Sequence, residues 1–265
     1  MKRQIKVLLH NGIIGSEVRP LYFYKAMRKK IIDARIISFG ACNFSCPYCK
    51  RNGHFRNQDG SIVSSVFCNI KDLYKVVDDA IKNKQVIRLS GGDPVSFQDA
   101  SISIAKYVKK NGGKFSIAHN GSSPEFVKKI IEIDLESAAI DLKATKKQMN
   151  KRTGLRALGG KKMYEKSIET QKILSDSGVL LDIRTPIFAD TKFEDLLELA
   201  NDIVECGSLK NKFWTLRLYK PVAGCSWKAP DMNKILKMIK KIKNKYPNLN
   251  MGLRAKWEPS GFLYF

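Results

Sequence analysis

Short runs rich in β-branched and aliphatic residues alternate along this chain with longer stretches whose apolar positions recur every three or four residues. The short runs are Ala34–Phe39, Val86–Ser90, Lys114–Ala118, Ser137–Leu142, Val179–Thr185 and Phe213–Leu218, with a weaker one at Asn250–Arg254. They read as strands. The intervening stretches Ile70–Lys82, Asp99–Lys110, Pro124–Ile131, Lys162–Ser177, Lys192–Cys206 and Asp231–Tyr246 read as amphipathic helices. Glycines punctuate the joins at Gly91-Gly92, Gly112-Gly113, Gly121 and Gly178. A first strand is expected at Ile5–Leu9, followed by a polar, basic segment to about Asp33.

A strand–helix alternation repeated six times implies a parallel sheet, because parallel neighbours need a helical crossover. No linker or low-complexity stretch divides it, so one domain is expected. An open doubly wound sheet and a full or partial (β/α) barrel both fit this order. In either, chemistry sits at the C-terminal ends of the strands.

Composition narrows the class without choosing the partner. The 265 residues are 43% hydrophobic and 28% charged, which suits a folded chain and not a disordered one. No apolar run approaches the ~20 residues that span a bilayer. The apolar stretch after Met1-Lys2-Arg3 is too short for a secretory signal, so a cytoplasmic protein is expected. The net charge of +23 would attract nucleic acid or an acidic protein at long range. Lysine is spread along the whole chain, however. In Asp231–Tyr246, Lys234, Lys237, Lys241 and Lys245 occupy sides other than the one formed by Ile235, Ile239, Ile242 and Tyr246. Such lysines are either the solvated face of a core helix or part of a nucleic-acid patch.

Three of the six cysteines fall in Gly40-Ala41-Cys42-Asn43-Phe44-Ser45-Cys46-Pro47-Tyr48-Cys49, directly after the first strand of the alternation. In a chain without an export signal, such clustering reads as metal or cluster ligation before disulfides. Iron–sulfur clusters are held by thiolates, usually four. Three on one loop would leave one iron of a four-iron cluster without a protein ligand. A zinc knuckle is the competing reading and needs a fourth ligand; His54 and Cys68 are the candidates.

Cys42-x3-Cys46-x2-Cys49, with Tyr48 before the last cysteine, resembles the signature of the radical S-adenosylmethionine (SAM) superfamily. The resemblance implies a [4Fe-4S] cluster on Cys42, Cys46 and Cys49. The open iron would chelate SAM through its amino and carboxylate groups. One electron cleaves the sulfonium, and the resulting 5′-deoxyadenosyl radical abstracts a hydrogen atom. It also implies an α/β fold, the partial (β/α)6 TIM-like barrel of this superfamily, over 34–224, after an N-terminal extension 1–33 and before a C-terminal helix and tail 225–265.

Further likenesses follow at the other strand ends. Ser90-Gly91-Gly92-Asp93-Pro94 resembles the family's Gly-Gly-Glu-Pro motif, whose backbone meets the SAM amino group. Glycines suit close approach of a ligand to backbone, and Gly92→Val is expected to weaken SAM binding while sparing the cluster. His119-Asn120-Gly121 is similar to a Thr-Asn-Gly turn of the glycyl-radical activating branch, with Ala118 where that branch often has an acidic residue beside a monovalent cation. His119 reads as a proton donor or as a hydrogen-bonded turn residue. Asp141-Leu142-Lys143 is similar to an Asp-x-Lys motif of the same branch, implying that Asp141 accepts from the methionine ammonium and Lys143 neutralises a carboxylate. Thr153-Gly154 and Asp182-Ile183-Arg184-Thr185-Pro186 resemble that branch too, with Arg184 a carboxylate fork for SAM. Cys225, after the sixth strand, is a candidate hydrogen-atom donor or acceptor, or a small buried side chain.

The likeness is to activating enzymes of glycyl-radical enzymes, including anaerobic ribonucleotide reductase activators, which abstract a Cα hydrogen from a glycine of a partner protein. Arg28–Asp33 stands where that type has an Asp-Gly-Pro-Gly-like turn. Cys68, Cys206 and Cys225 are scattered, so one cluster is expected, reduced by an external donor such as flavodoxin or ferredoxin. A protein or peptide substrate is thus one expectation. RNA, above all tRNA, is the second, motivated by the net charge and the basic Lys25–Lys30. A zinc-stabilised, non-enzymatic nucleic-acid-binding module is the third.

Overall fold

In the computed structural model, which describes residues 4–49, 64–155, 158–222, 224–256 and 261–265, the apolar runs pair side by side. In chain order the strands are β1 (Ile5–His10), β2 (Ile13–Ile14), β3 (Val18–Leu21), β4 (Ile32–Phe39), β5 (Ser65–Cys68), β6 (Val86–Gly91), β7 (Phe115–His119), β8 (Ser137–Asp141), β9 (Leu180–Ile187), β10 (Lys212–Leu218), β11 (Met251–Arg254) and β12 (Phe262–Tyr264). The helices are α1 (Phe23–Arg28), α2 (Ile70–Lys82), α3 (Gln98–Lys110), α4 (Pro124–Ile131), α5 (Met149–Thr153), α6 (Leu158–Asp176), α7 (Phe193–Glu205) and α8 (Met232–Lys245).

β4, β6, β7, β8, β9, β10 and β11 are successive parallel neighbours. The edges are antiparallel, with β1 against β4 and β12 against β11, and the sheet does not close on itself. This is the expected partial barrel. Local chemistry starts its helices: Asn69 and Asp72 form a capping box at α2, Ser123 precedes Pro124 at α4, and Asp231 accepts from the Lys234 N–H at α8.

Alternation along the strands sorts the side chains. Ile87, Leu89, Ile117, Ile140, Ile183 and Leu216 are fully buried in the main core cluster shared with the helices. The intervening positions Arg88, Ser90, Asp182, Arg184, Thr215 and Arg217 line a cavity inside the curve of the sheet.

The polar reading of the segment before Asp33 needs correction. It contains Leu21, Tyr22, Phe23 and Tyr24, all buried, in a second apolar cluster with Ala34, Val86, Leu180 and Phe213 at strand beginnings and with Phe262 of β12. This aromatic plug closes the end of the partial barrel opposite the cysteine loop. Tyr22 stacks on Phe262 with centroids 5.3 Å apart.

Candidate active site

Three turns clasp the loop that carries Cys42, Cys46 and Cys49. After β6, the Gly92 N–H donates to the Phe39 carbonyl at 2.7 Å and the Asp93 N–H to that of Ala41 at 2.7 Å. After β7, Asn120 donates its amide to Asn43 Oδ1 at 2.6 Å and points it at Cys42 Sγ at 3.8 Å, while Asn43 donates to Ser122 Oγ at 2.8 Å. After α5, the Thr153 carbonyl accepts from the Ser45 N–H at 3.1 Å. Phe44 is buried in the main core and anchors the loop from below. Cys46 and Cys49 are joined by a backbone hydrogen bond of 3.0 Å.

Backbone packing explains the glycines. A Cβ on Gly92 would lie 2.0 Å from the Ala41 carbonyl oxygen, and one on Gly91, whose φ is +105°, would lie 2.2 Å from the Phe39 nitrogen. The atoms that exclude a side chain here belong to the strand end and cysteine loop. Gly92→Val would therefore push on Ala41, the neighbour of Cys42, and the expectation that it spares the loop is revised.

Asp93 faces the protein's own turns. Its carboxylate accepts from the Val95 N–H at 2.9 Å and the Asn120 N–H at 2.7 Å, and lies 2.7 Å from His119 Nδ1. His119 is fully buried, and its Nε2 accepts from the Ser123 N–H at 3.3 Å. Both ring nitrogens are thus engaged, with Nδ1 assigned as the protonated one, and the turn-residue reading of His119 fits.

Asp141, Lys143 and Arg184 come together at the ends of β8 and β9. Lys143 Nζ lies 2.9 Å from Asp141 Oδ2, and Arg184 Nε lies 3.3 Å from Oδ1. Burial alone would raise the Asp141 carboxyl, but Lys143 and Arg184 outweigh it and hold it well below the usual carboxylate range. Burial would likewise lower Lys143, and Asp141 outweighs that, raising it well above its ordinary value. Lys143 Nζ also stands 6.0 Å from the centroid of the Tyr48 ring. Tyr48 packs edge-on to Phe188 and against Trp227, and Arg152 lies 4.1 Å from the Phe188 ring.

Cys42, Cys46, Tyr48, Cys49, Gly91, Gly92, Asp93, Asn120, Asp141, Lys143 and Arg184 all line one cavity of about 340 Å³. Two expected residues lie elsewhere. Pro94 is buried at the start of a single 3₁₀ turn, Pro94–Phe97, and Cys225 stands behind Tyr219, whose ring does face the cavity. Sequence reasoning passed over Arg88, Arg217 and Arg254, which line the same space. Their signal was a lone arginine inside an apolar strand run, as in Ile87-Arg88-Leu89 and Leu216-Arg217-Leu218.

The donor set decides what the loop can hold. Three thiols on one loop open to a shared cavity, and none of the six cysteines is in a disulfide. Among the described residues no three His, Cys, Asp or Glu side chains gather as a single ion requires. Cys68 is on β5 and does not line the cavity, and His54 lies outside the described residues. Burial pushes the Cys46 thiol up, so bound iron would have to displace its proton. An all-thiolate set suits an iron–sulfur cluster.

Comparison with known proteins agrees. The pattern of the Radical SAM superfamily matches residues 36–203. A Methanocaldococcus jannaschii protein described as a glycyl-radical enzyme activating enzyme is 29% identical over 181 residues, 67% of this chain and 70% of that one. The 7-carboxy-7-deazaguanine synthase of the same organism is 24% identical over 221 residues, 79% of this chain and 85% of the relative. Among solved structures, Streptococcus suis SuiB bound to S-adenosylmethionine shares the fold, with a TM-score of 0.61 and 17% identity. The similarity covers 88% of this chain, which spans about half (53%) of SuiB. SuiB is also known bound to its precursor peptide SuiA, with a TM-score of 0.61, 16% identity and coverage of 82% and 47%. Among the described residues no helix is long and apolar enough to cross a membrane.

Proposed function

The chain belongs to the radical SAM superfamily, enzymes that use a [4Fe-4S] cluster and SAM, and from that premise we propose that Cys42, Cys46 and Cys49 hold the cluster. The chemistry supplied by the bound cluster and SAM is reductive cleavage of the sulfonium to a 5′-deoxyadenosyl radical that abstracts a hydrogen atom from the substrate. The observation that carries this reading is that one cavity is lined by the three thiols and by the Asp141–Lys143–Arg184 group.

The chain's own residues do the holding and orienting. Asn120 and the Gly91-Gly92 turn fix the cysteine loop from two sides. Asp141, kept anionic, would accept from the SAM ammonium, and Lys143 and Arg184 would take its carboxylate. Tyr48 and Tyr219 line the cavity, and Phe188 packs against both rings while Trp227 packs against Tyr48, so this aromatic group holds Tyr48 in place beside Cys49. Asp93 acts through the turns it ties and is a positioning residue.

The substrate proposed is a protein or peptide, in the manner of a glycyl-radical enzyme activase. Support comes from the likeness to the M. jannaschii relative and from the peptide complex of SuiB. Electrons come from an external carrier such as flavodoxin or ferredoxin, since the remaining cysteines form no second set. A second reading, modification of RNA, is favoured by the +23 charge and predicts salt-dependent co-purification of tRNA. The test incubates reduced protein and SAM with candidate peptides deuterated at a glycine Cα, or with deuterated RNA. Deuterium in 5′-deoxyadenosine from the peptide supports the activase-like reading; label acquired only from RNA overturns it.

A further inference from the structure

Asn120 reaches Cys42 from the end of β7 with both ends of its amide assigned. Its Oδ1 accepts from the Ser122 N–H at 3.0 Å, so the other corner of the amide is Nδ2. An amide nitrogen carries two N–H donors. One goes to Asn43 Oδ1 at 2.6 Å, and the other points at Cys42 Sγ at 3.8 Å. The backbone N–H of Phe44 reaches the same sulfur at 3.4 Å. Bracing the cysteine loop uses only the bond to Asn43. The N–H aimed at Cys42 is a second commitment of the same amide.

The turn behind this amide is held from several sides. Asn120 is 3% exposed, and its backbone N–H donates to Asp93 Oδ2 at 2.7 Å. Its carbonyl accepts from Ser167 Oγ of α6 at 3.4 Å, and the Gly121 carbonyl accepts from Thr170 Oγ1 at 3.0 Å. Gly121 has a φ of +79°, and a Cβ on it would lie 2.7 Å from Ser167 Oγ, so the turn rests directly on α6. A donor fixed in this way needs no reorganisation when charge develops at the sulfur. Hydrogen bonds to the sulfurs are among the factors that set the reduction potential of an iron–sulfur cluster. Reduction makes the cluster and its thiolates more negative by one charge. An N–H donor interacts more strongly with the more negative state, and more so where water is excluded. Such a donor therefore raises the potential.

We propose that the Asn120 side-chain amide, through its hydrogen bond to Cys42 Sγ, raises the reduction potential of the cluster and so eases its reduction by an external carrier. This rests on the reading that Cys42, Cys46 and Cys49 hold a [4Fe-4S] cluster, and it adds which residue tunes the uptake of the electron. One electron passes from a one-electron carrier to the cluster. No proton moves, and Asn120 stays neutral throughout.

The test is a redox titration of the anaerobically reconstituted protein without SAM, followed by electron paramagnetic resonance of the reduced cluster. Asn120→Ala removes the donor and is expected to lower the midpoint potential. The oxidised-to-reduced ratio at a fixed potential should shift by about three- to tenfold, ~28–59 mV for a one-electron couple. Asn120→Asp keeps the acceptor for the Ser122 N–H and places a negative charge beside the sulfur, so its potential should fall further. Ser122→Ala is the control for a merely structural role. It loses the Oγ that takes the Asn43 amide and keeps the Asn120 donor, and its potential should equal that of wild type. A potential unchanged in both Asn120 variants, or lowered as far by Ser122→Ala, overturns the proposal. So does failure of both Asn120 variants to take up iron, which would make the residue a brace alone. Wild-type protein that forms no [4Fe-4S] cluster would sink the reading of the cysteine loop, and this proposal with it.

Discussion

His119 Nδ1 and Asp93 Oδ1 lie 2.7 Å apart with both side chains buried, joining the turn after β6 to the turn after β7. The same carboxylate holds the Asn120 N–H, and Asn120 holds Asn43 beside Cys42. Asp93→Asn removes an acceptor from a cluster of buried donors and is expected to cost about 1–3 kcal/mol. A lower melting temperature together with reduced SAM affinity is the expected result. A variant as stable as wild type would contradict the bracing role.

Gly92→Val tests how the turn and the cysteine loop are coupled. Because the new Cβ meets the Ala41 backbone, iron content after reconstitution should fall together with SAM binding. Iron and sulfide analysis of the purified variant checks this. Full iron loading would show that the two segments move apart freely.

Asp141 gives stability a defined acid limb. Its folded-state carboxyl is depressed relative to the ordinary value of 3.8, so the unfolded chain binds the proton more readily. The contribution is complete above that value and fades as pH falls below it, and Asp141→Asn should remove about 2 kcal/mol at neutral pH. Urea melts from pH 7 to pH 3 should show the gap between wild type and variant closing towards acid. A constant gap would contradict the assignment.

The aromatic plug can be probed from its C-terminal partner. Phe262 stacks on Tyr22 and lies 6.1 Å from the Phe213 ring. Phe262→Ala should cost about 3–5 kcal/mol by opening a cavity in that cluster. Thermal unfolding checks it; a loss below about 1 kcal/mol would mean that the plug contributes little to closing this end.

The barrel strands are legible in the sequence because parallel strands covered by helices are unbroken apolar runs, and crossover helices keep a clean period. Ile70–Lys82 and Pro124–Ile131 match the observed helices end for end. β2, β3, α1 and β12 are too short to show a period, so Leu21–Tyr24, which form the plug, read in sequence as part of a polar segment. The cysteine loop and the turns at Gly91, Asn120 and Asp141 are contiguous in sequence and could be read there. Arg88, Arg217 and Arg254 stand on three strands separated in sequence, and only the fold brings them to one cavity.

Mössbauer spectroscopy of anaerobically reconstituted ⁵⁷Fe protein, with and without SAM, tests the central assignment most directly. The account predicts a [4Fe-4S] cluster with one iron distinct from the other three and altered by SAM, lost in Cys42→Ala, Cys46→Ala and Cys49→Ala. A spectrum without such a cluster, or one unchanged in those three variants, would contradict it.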